Sequence, residues 1–424
     1  MDRLNDRWDG LARDTAAKLV QPWGAPAPGA LRIDHPALAW RRAGLMGATG
    51  PVGRPCVCPV PVTVLADAAL AAFATLAGPC DLPGNGALLL GERARRLGLT
   101  GQGRISANGA CRLLAATDGW IALNLPREDD WDLAGAMIGQ PVSDWDGLAP
   151  MVAAWPAETL VQRGRELGLA VARSGLDPPP SSPFTLALAG AHGHRPSRRP
   201  RVVDLSALWA GPLAGSLLAM AGADVVKVES RRRPDGAAAG DPGFFAMLNG
   251  DKERLVIDFD TASGRAELHR LIAAADIVIE ASRPRALRQL GIDAEAEVAR
   301  GVVWLSITAH GRTGAAATAI GYGDDAAVAG GLAAAMAAAW GEPMFAGDAL
   351  ADPLTGLLAA LAGLAQWRHG GGALIAIAMA QVVAYARGLG VAGAAECRHW
   401  QALAEADTAP LYAMRAVPFI PSSG

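Results

Sequence analysis

The chain has 424 residues, room for two or three domains with substantial cores. Its formal net charge of −3 supplies no overall basic field, which argues against nucleic acid as a partner. Five cysteines, at 56, 58, 80, 111 and 397, match neither a tetrahedral zinc spacing nor a disulfide framework. No metal site is expected, and a reduced cytoplasmic setting is.

In chain order, residues 1–40 read as an N-terminal arm. Its opening, MDRLNDRWDGLARD, is charged and has no apolar core, so no signal peptide is expected. Residues 41–100 read as a degenerate helical repeat of a later segment. VLADAALAAFATLAG, around Asp67, aligns with ALADPLTGLLAALAG, around Asp352. Each follows a Gly-x-Pro step, Gly53 to Pro55 and Gly341 to Pro343. Residues 101–176 read as a small α+β domain. Asp118-Gly119 between two apolar runs signals a hairpin, and PAETLVQRGRELG an amphipathic helix with Pro156 in its first turn. Residues 177–200 are rich in Pro, Ser, Gly and Arg and read as a linker.

Residues 201–385 read as a Rossmann-like, doubly wound α/β domain. Strands are expected at 201–205, 224–229, 254–258, 276–280 and 302–307, with helices at 211–220 and 261–274. Residues 386–424 are a C-terminal return segment. The stretches 326–341 and 370–386 are apolar but short for membrane spans, so no membrane partner is expected. A dinucleotide reading fails at the first turn: SALWAGPLAG lacks GxGxxG, and Gly211 with Gly215 is a weak substitute. Lys227 and the run Arg231–Arg233 at the strand ends suit a phosphate-bearing ligand better.

The segment RVVDLSALWAGPLAGSLLAMAGADVVKVES, with LNGDKERLVIDFD and ADIVIEASRPRALRQLGID, resembles the family III CoA-transferases, the carnitine dehydratase and bile-acid-inducible F group. The resemblance covers most of the chain in fused or permuted order, because the part like the family's small domain precedes the nucleotide-fold part. It implies coenzyme A contacts at Leu208, Trp209 and Ala210 of the AGP turn and at Asn249 and Lys252. Three further positions depart from the pattern. Ser230 stands where an arginine is usual, Glu280-Ala281-Ser282 replaces Glu-Asn-Phe, and Gln289 replaces a second arginine. Arg231, Arg283 and Arg288 are the neighbouring substitutes.

The resemblance also implies a nucleophile, Asp352 in Asp352-Pro353-Leu354-Thr355-Gly356. The expected reaction moves CoA between an acyl-CoA and a carboxylic acid acceptor, through an aspartyl anhydride and an aspartyl-CoA thioester. No tightly bound cofactor is implied, CoA being a substrate. A homodimer of interlocked chains is implied too. From the residues alone, Asp352 is also a plain N-cap before an apolar helix. Asp67 reads as a vestigial cap, and Asp348, four residues before Asp352, as a solvated-loop residue and a lesser rival for the nucleophile. A catalytically weakened homologue that binds a CoA ester or a partner subunit is the second reading. An acyl-CoA racemase is disfavoured because Gly321-Tyr322-Gly323 stands where a Gly-His-Asp step would be needed. His310, His369 and His399 read as structural or surface residues, and an NAD-type oxidoreductase is the remaining alternative.

Overall fold

The computed structural model describes residues 2–191, 193, 199–282 and 284–417. A small antiparallel sheet comes first, with β1 (Cys111–Ala116), β2 (Gly119–Asn124) and β3 (Ala170–Arg173) in the order β1-β2-β3. The Asp118-Gly119 turn closes β1 on β2 with Ala116 opposite Gly119, as the hairpin signal predicts. The helix Ala157–Leu167 follows, and Gly168, in the left-handed region at φ 85°, ends it.

The larger sheet contains β4 (Thr185–Ala189), β5 (Arg201–Asp204), β6 (Asp224–Ser230), β7 (Glu253–Ile257), β8 (Ile277–Glu280), β9 (Val303–Thr308) and β10 (Ala373–Ala378). Their order is β4-β10-β9-β8-β5-β6-β7. All neighbours are parallel except β4 with β10. The chain leaves β5 for β6 and β7 on one side, then crosses to β8, β9 and β10 on the other. The carboxyl end of β5 is therefore a topological switch point, the place where such sheets open a crevice. Strands β8 and β9 are buried along almost their whole length and mostly apolar, because both of their faces are covered.

Two expectations change form. The linker 177–200 carries the edge strand β4 and is anchored by Phe184, whose ring lies 5.3 Å from that of Trp23. The arm 1–40 contains the helix Asp2–Val20, which packs on the helix Val62–Ala77 and buries Trp8, Ala12, Ala16 and Leu19. Those positions repeat at three- and four-residue spacing, so the face is a helical stripe.

The two Leu-Ala-Asp segments fall in the helices Val62–Ala77 and Ala351–His369, which pack against each other. The second of these is apolar almost all round because it is enclosed. The helix Ala210–Met220 lies on one side and the first half of the chain on another. Gly356 permits the closest approach: a Cβ there would overlap the Ala210 carbonyl oxygen and meet Leu213 Cβ at 3.0 Å. Asp352 lies one turn before this contact, which brings it to the start of the helix Ala210–Met220.

Candidate active site

Asp352 is the second residue of its helix, not its cap; Leu350 occupies the cap position and makes no side-chain capping bond. The plain N-cap reading is therefore corrected. The carboxylate instead lies beside the starts of two other helices, at Ala210 and at Gly323, the first residue of the helix Gly323–Ala329, and the backbone N–H groups there favour its charged form. Each supplies an unpaired N–H and the positive end of a dipole. Gly323 must be glycine. A Cβ there would overlap Asp352 Oδ2 and the Ala349 oxygen, with the Ala349 carbonyl carbon 2.7 Å away.

Burial pushes the Asp352 carboxyl up to about 7, with Asp324 adding a like charge, while Arg93 and the two N–H groups oppose the shift. Asp352, itself half-buried, lies beside the buried acids Asp324 and Asp348. Asp324 Oδ1 accepts from the Ala349 N–H at 2.9 Å, and its Oδ2 accepts from Asn108 Nδ2 at 2.9 Å. Asp348 is fully buried and pairs with Arg93 Nη1 at 3.1 Å, so it is no solvated loop residue. Burial raises both carboxyls above the ordinary range.

Among the described residues, the non-glycine positions with left-handed backbone are Leu208, at φ 69°, and Ala349, at φ 42°. Leu208 is two residues before Ala210, and Ala349 accepts the Asp352 N–H. Strained backbone of this kind costs on the order of 1–3 kcal/mol and gathers at functional sites. The surroundings hold the Leu208 strain in place: its N–H donates to Asp235 Oδ1 at 2.9 Å, and Asp235 pairs with Lys227 at 3.0 Å.

The expected CoA positions divide. Leu208 is 42% exposed at the crevice, whereas Trp209 is buried edge-on to Phe244, the rings 5.2 Å apart. Ala210 opens its helix beside Asp352, and its N–H favours the charged carboxylate. Asn249 and Lys252 are buried, and their polar atoms are engaged inside the protein. Lys252 Nζ bonds Asp204 Oδ2 at 2.8 Å, the Pro212 carbonyl at 2.7 Å and Asn249 Oδ1 at 2.9 Å. Lys227, expected to face a phosphate, is likewise fully buried, and its ammonium donates to the Ser206 carbonyl and to Asp235. Arg231 is exposed at the end of β6, and Arg288 pairs with Glu295 at 3.5 Å. Arg283 lies outside the described residues.

Asp67 does not cap its own helix, which begins at Val62; it lies inside that helix and serves the start of another, beside the cap residue Asn85. Its Oδ1 accepts the N–H groups of Gly86 and Ala87 at 2.8 and 3.0 Å, at the start of the helix Gly86–Leu97. The His310 ring is nearly covered and lies 3.8 Å from Asp325 Oδ2; loss of solvent lowers it to about 3, so the imidazole is neutral. Among the described residues, no cluster of His, Cys, Asp and Glu fits a metal ion, and no helix is long and apolar enough to cross a membrane.

Sequence reasoning missed Arg93, Asn108 and Asp324. Arg93 lies on the helix Gly86–Leu97 with its guanidinium 5.5 Å from the Trp209 ring centre and 6.0 Å from that of Phe244. The neighbouring Arg96 holds Asp241 at 2.8 Å, at the start of the helix Pro242–Asn249. The first half of the chain thus reaches the Asp352 site at several points.

Residues 200–401 match the model of CoA-transferase family III. Similar proteins include the succinate–glutarate CoA-transferase of Agrobacterium fabrum, 34% identical over 182 residues, which are 38% of this chain and 46% of that protein. The succinyl-CoA–D-citramalate CoA-transferase of Chloroflexus aurantiacus is 31% identical over 179 residues, 40% of this chain and 44% of that one. The chain therefore spans less than half the length of these curated relatives. A CAIB/BAIF family protein from Brucella suis, of known crystal structure, is 32% identical with a TM-score of 0.40, covering 45% of this chain and 55% of that one.

Proposed function

We propose, from the match of residues 200–401 to CoA-transferase family III, that this chain moves coenzyme A from an acyl-CoA to a carboxylic acid, with Asp352 as nucleophile. The single observation that carries the reading is the Asp352 carboxylate set against the first residues of two helices, Ala210 and Gly323, so closely that a Cβ at Gly323 would overlap its Oδ2. Chemistry at this carboxylate balances in four steps. An Asp352 oxygen attacks the thioester carbonyl carbon, the carbon–sulfur bond breaks, and CoA thiolate leaves an aspartyl anhydride. The thiolate then attacks the Asp352 carbonyl carbon, forming an aspartyl-CoA thioester and releasing the donor as its carboxylate. The acceptor carboxylate attacks that thioester and regenerates an anhydride and thiolate. Attack of thiolate on the acceptor's carbonyl gives the new acyl-CoA and returns Asp352 to carboxylate. Each tetrahedral stage develops an oxyanion on carbon that was Asp352's own or adjacent to it, within reach of the same two N–H donors.

The first donor to test is succinyl-CoA, a short dicarboxylic acyl-CoA of the kind named for two of the relatives. Hydroxylamine added during incubation with it traps an activated aspartate as a hydroxamate, and peptide mass mapping places the adduct. An adduct on Asp352, lost in Asp352→Ala, supports the reading. An adduct elsewhere, with full transfer by the Ala variant, overturns it.

A second reading is a CoA-ester-binding homologue with little turnover. It is favoured by Asn249 and Lys252, whose polar atoms are already engaged within the protein. Calorimetric binding of acyl-CoA without any hydroxamate would decide for it. The cytoplasmic setting and an interlocked homodimer belong to the same proposal. In this chain the first half already covers Asp352, so a partner subunit is not needed to enclose that side.

A further inference from the structure

Arg93 is the one cation that faces the buried acids around Asp352 among the described residues. It comes from the first half of the chain, from the segment that reads as a degenerate repeat. Its guanidinium is fixed on two sides. One is the Asp348 carboxylate, at 3.1 and 3.2 Å from Nη1; the other is the aromatic wall of Trp209 and Phe244. A planar guanidinium suits both contacts, pairing in its plane and stacking on its face.

We infer that Arg93 is a positioning residue that holds Asp348 and the Trp209 wall in place beside Asp352 and offsets the acids gathered there, supplied in cis by the fused first half. The groups facing Asp352 from each packed element support this. The helix Gly323–Ala329 presents Asp324, a like charge. The segment before Asp352 presents Asp348, another, since Asp352 in turn raises Asp348. The helix Ala210–Met220 presents only the Ala210 N–H, and the loop after Gly101 presents the uncharged Asn108. On the helix Val62–Ala77, Asp67 is turned to Gly86 and Ala87. Asp325 is turned toward Asn124, the Tyr322 N–H and His310. Arg93 therefore offsets acids that would otherwise hold protons in common with the nucleophile. The inference deepens the transfer reading, but its test reads Asp352 directly and needs no turnover.

The test uses the full chain. A water-soluble carbodiimide with an amine trap modifies protonated carboxyls, and peptide mapping follows Asp352 as pH rises, normalised to the exposed Asp81. For Arg93→Gln the labelling midpoint of Asp352 is expected to rise by about one pH unit, the order of shift a single nearby opposite charge produces. For Arg93→Lys most of that shift is expected to be recovered. If Arg93→Gln does not fold, Asp348→Asn serves instead. It removes one like charge and frees Arg93, so the midpoint is expected to fall. A midpoint unchanged in Arg93→Gln, a Lys variant as shifted as the Gln variant, or a midpoint that does not fall in Asp348→Asn overturns the inference. If wild type yields no hydroxamate while these midpoints move as stated, the transfer reading fails and the role of Arg93 stands.

Discussion

Replacing Gly323 with Ala tests the Asp352 site with a single methyl group. In an ordinary helix the change stabilises by about 1 kcal/mol, because glycine loses more backbone freedom. Here the methyl would overlap Asp352 Oδ2 and the Ala349 oxygen, and the Ala349 carbonyl carbon would lie 2.7 Å away. A side-chain oxygen can turn away, but the Ala349 carbonyl cannot do so cheaply. Ala349 already sits in the left-handed region at φ 42°, and its N–H is tied to Asp324 at 2.9 Å. Overpacking of this kind costs ~3 kcal/mol at its upper end. Set against the helical gain, the net loss is ~2 kcal/mol, a fall of several degrees in Tm. The larger effect is on chemistry. The Gly323 N–H must retreat from the carboxylate, and a displacement of ~1 Å at a reacting group costs about a hundredfold in rate. Differential scanning calorimetry and succinyl-CoA-dependent hydroxamate formation measure the two effects. Gly240→Ala, where a Cβ would meet nothing within 4 Å, is the control. If Gly323→Ala formed hydroxamate at the wild-type rate, the convergence of N–H groups on Asp352 would not be what activates it.

Three other outcomes follow from the same structure. Hydroxamate formation is expected to increase as pH rises through about 7, since the carboxyl that burial raises to that value must lose its proton to attack; a rate flat across that range refutes the assignment. Folding stability is expected to change the other way. Asp67, Asp325 and Asp352 are each pushed up to about 7 by burial, so the folded state holds protons that the unfolded chain has released, and Tm falls as pH rises from about 4 through 7; Asp67→Asn and Asp325→Asn should each flatten the slope measured by thermal melts. Lys252→Met is expected to cost ~3–5 kcal/mol by leaving Asp204 buried without its partner, seen as a lower urea midpoint; a variant that only weakens CoA binding would instead make Lys252 a ligand contact.

Much of the α/β half is legible because its signals are local. Strands β5 to β9 are short apolar runs bounded by turns, and each falls within a residue or two of its expected place. Asp352 is proposed as the nucleophile from its repeat and the family resemblance. Its surroundings were not legible, because Ala210 and Gly323 come from separate helices that only packing brings together. The helical stripe of Trp8, Ala12, Ala16 and Leu19 was a local signal hidden under charged neighbours. The fate of the lysines is the instructive failure. A cation at a strand end reads as a phosphate ligand, yet Lys227 and Lys252 each meet an aspartate inside, Asp235 and Asp204. Asp204 at the end of an apolar strand was the available clue, since a buried carboxylate needs a cation and the nearest candidates were these lysines. Burial alone would raise Asp204, but the two ammonium groups hold it below the ordinary range. Arg93 left no such clue. It is 255 residues from Asp348, in a stretch whose spacing marks only an amphipathic helix. Its place becomes visible only when the helix Gly86–Leu97 packs beside Asp348 and Trp209. On the proposed reading, residues 41–100 serve as a wall of the site, and Arg93→Gln would leave Asp348 and Asp324 beside Asp352 without the cation that faces them.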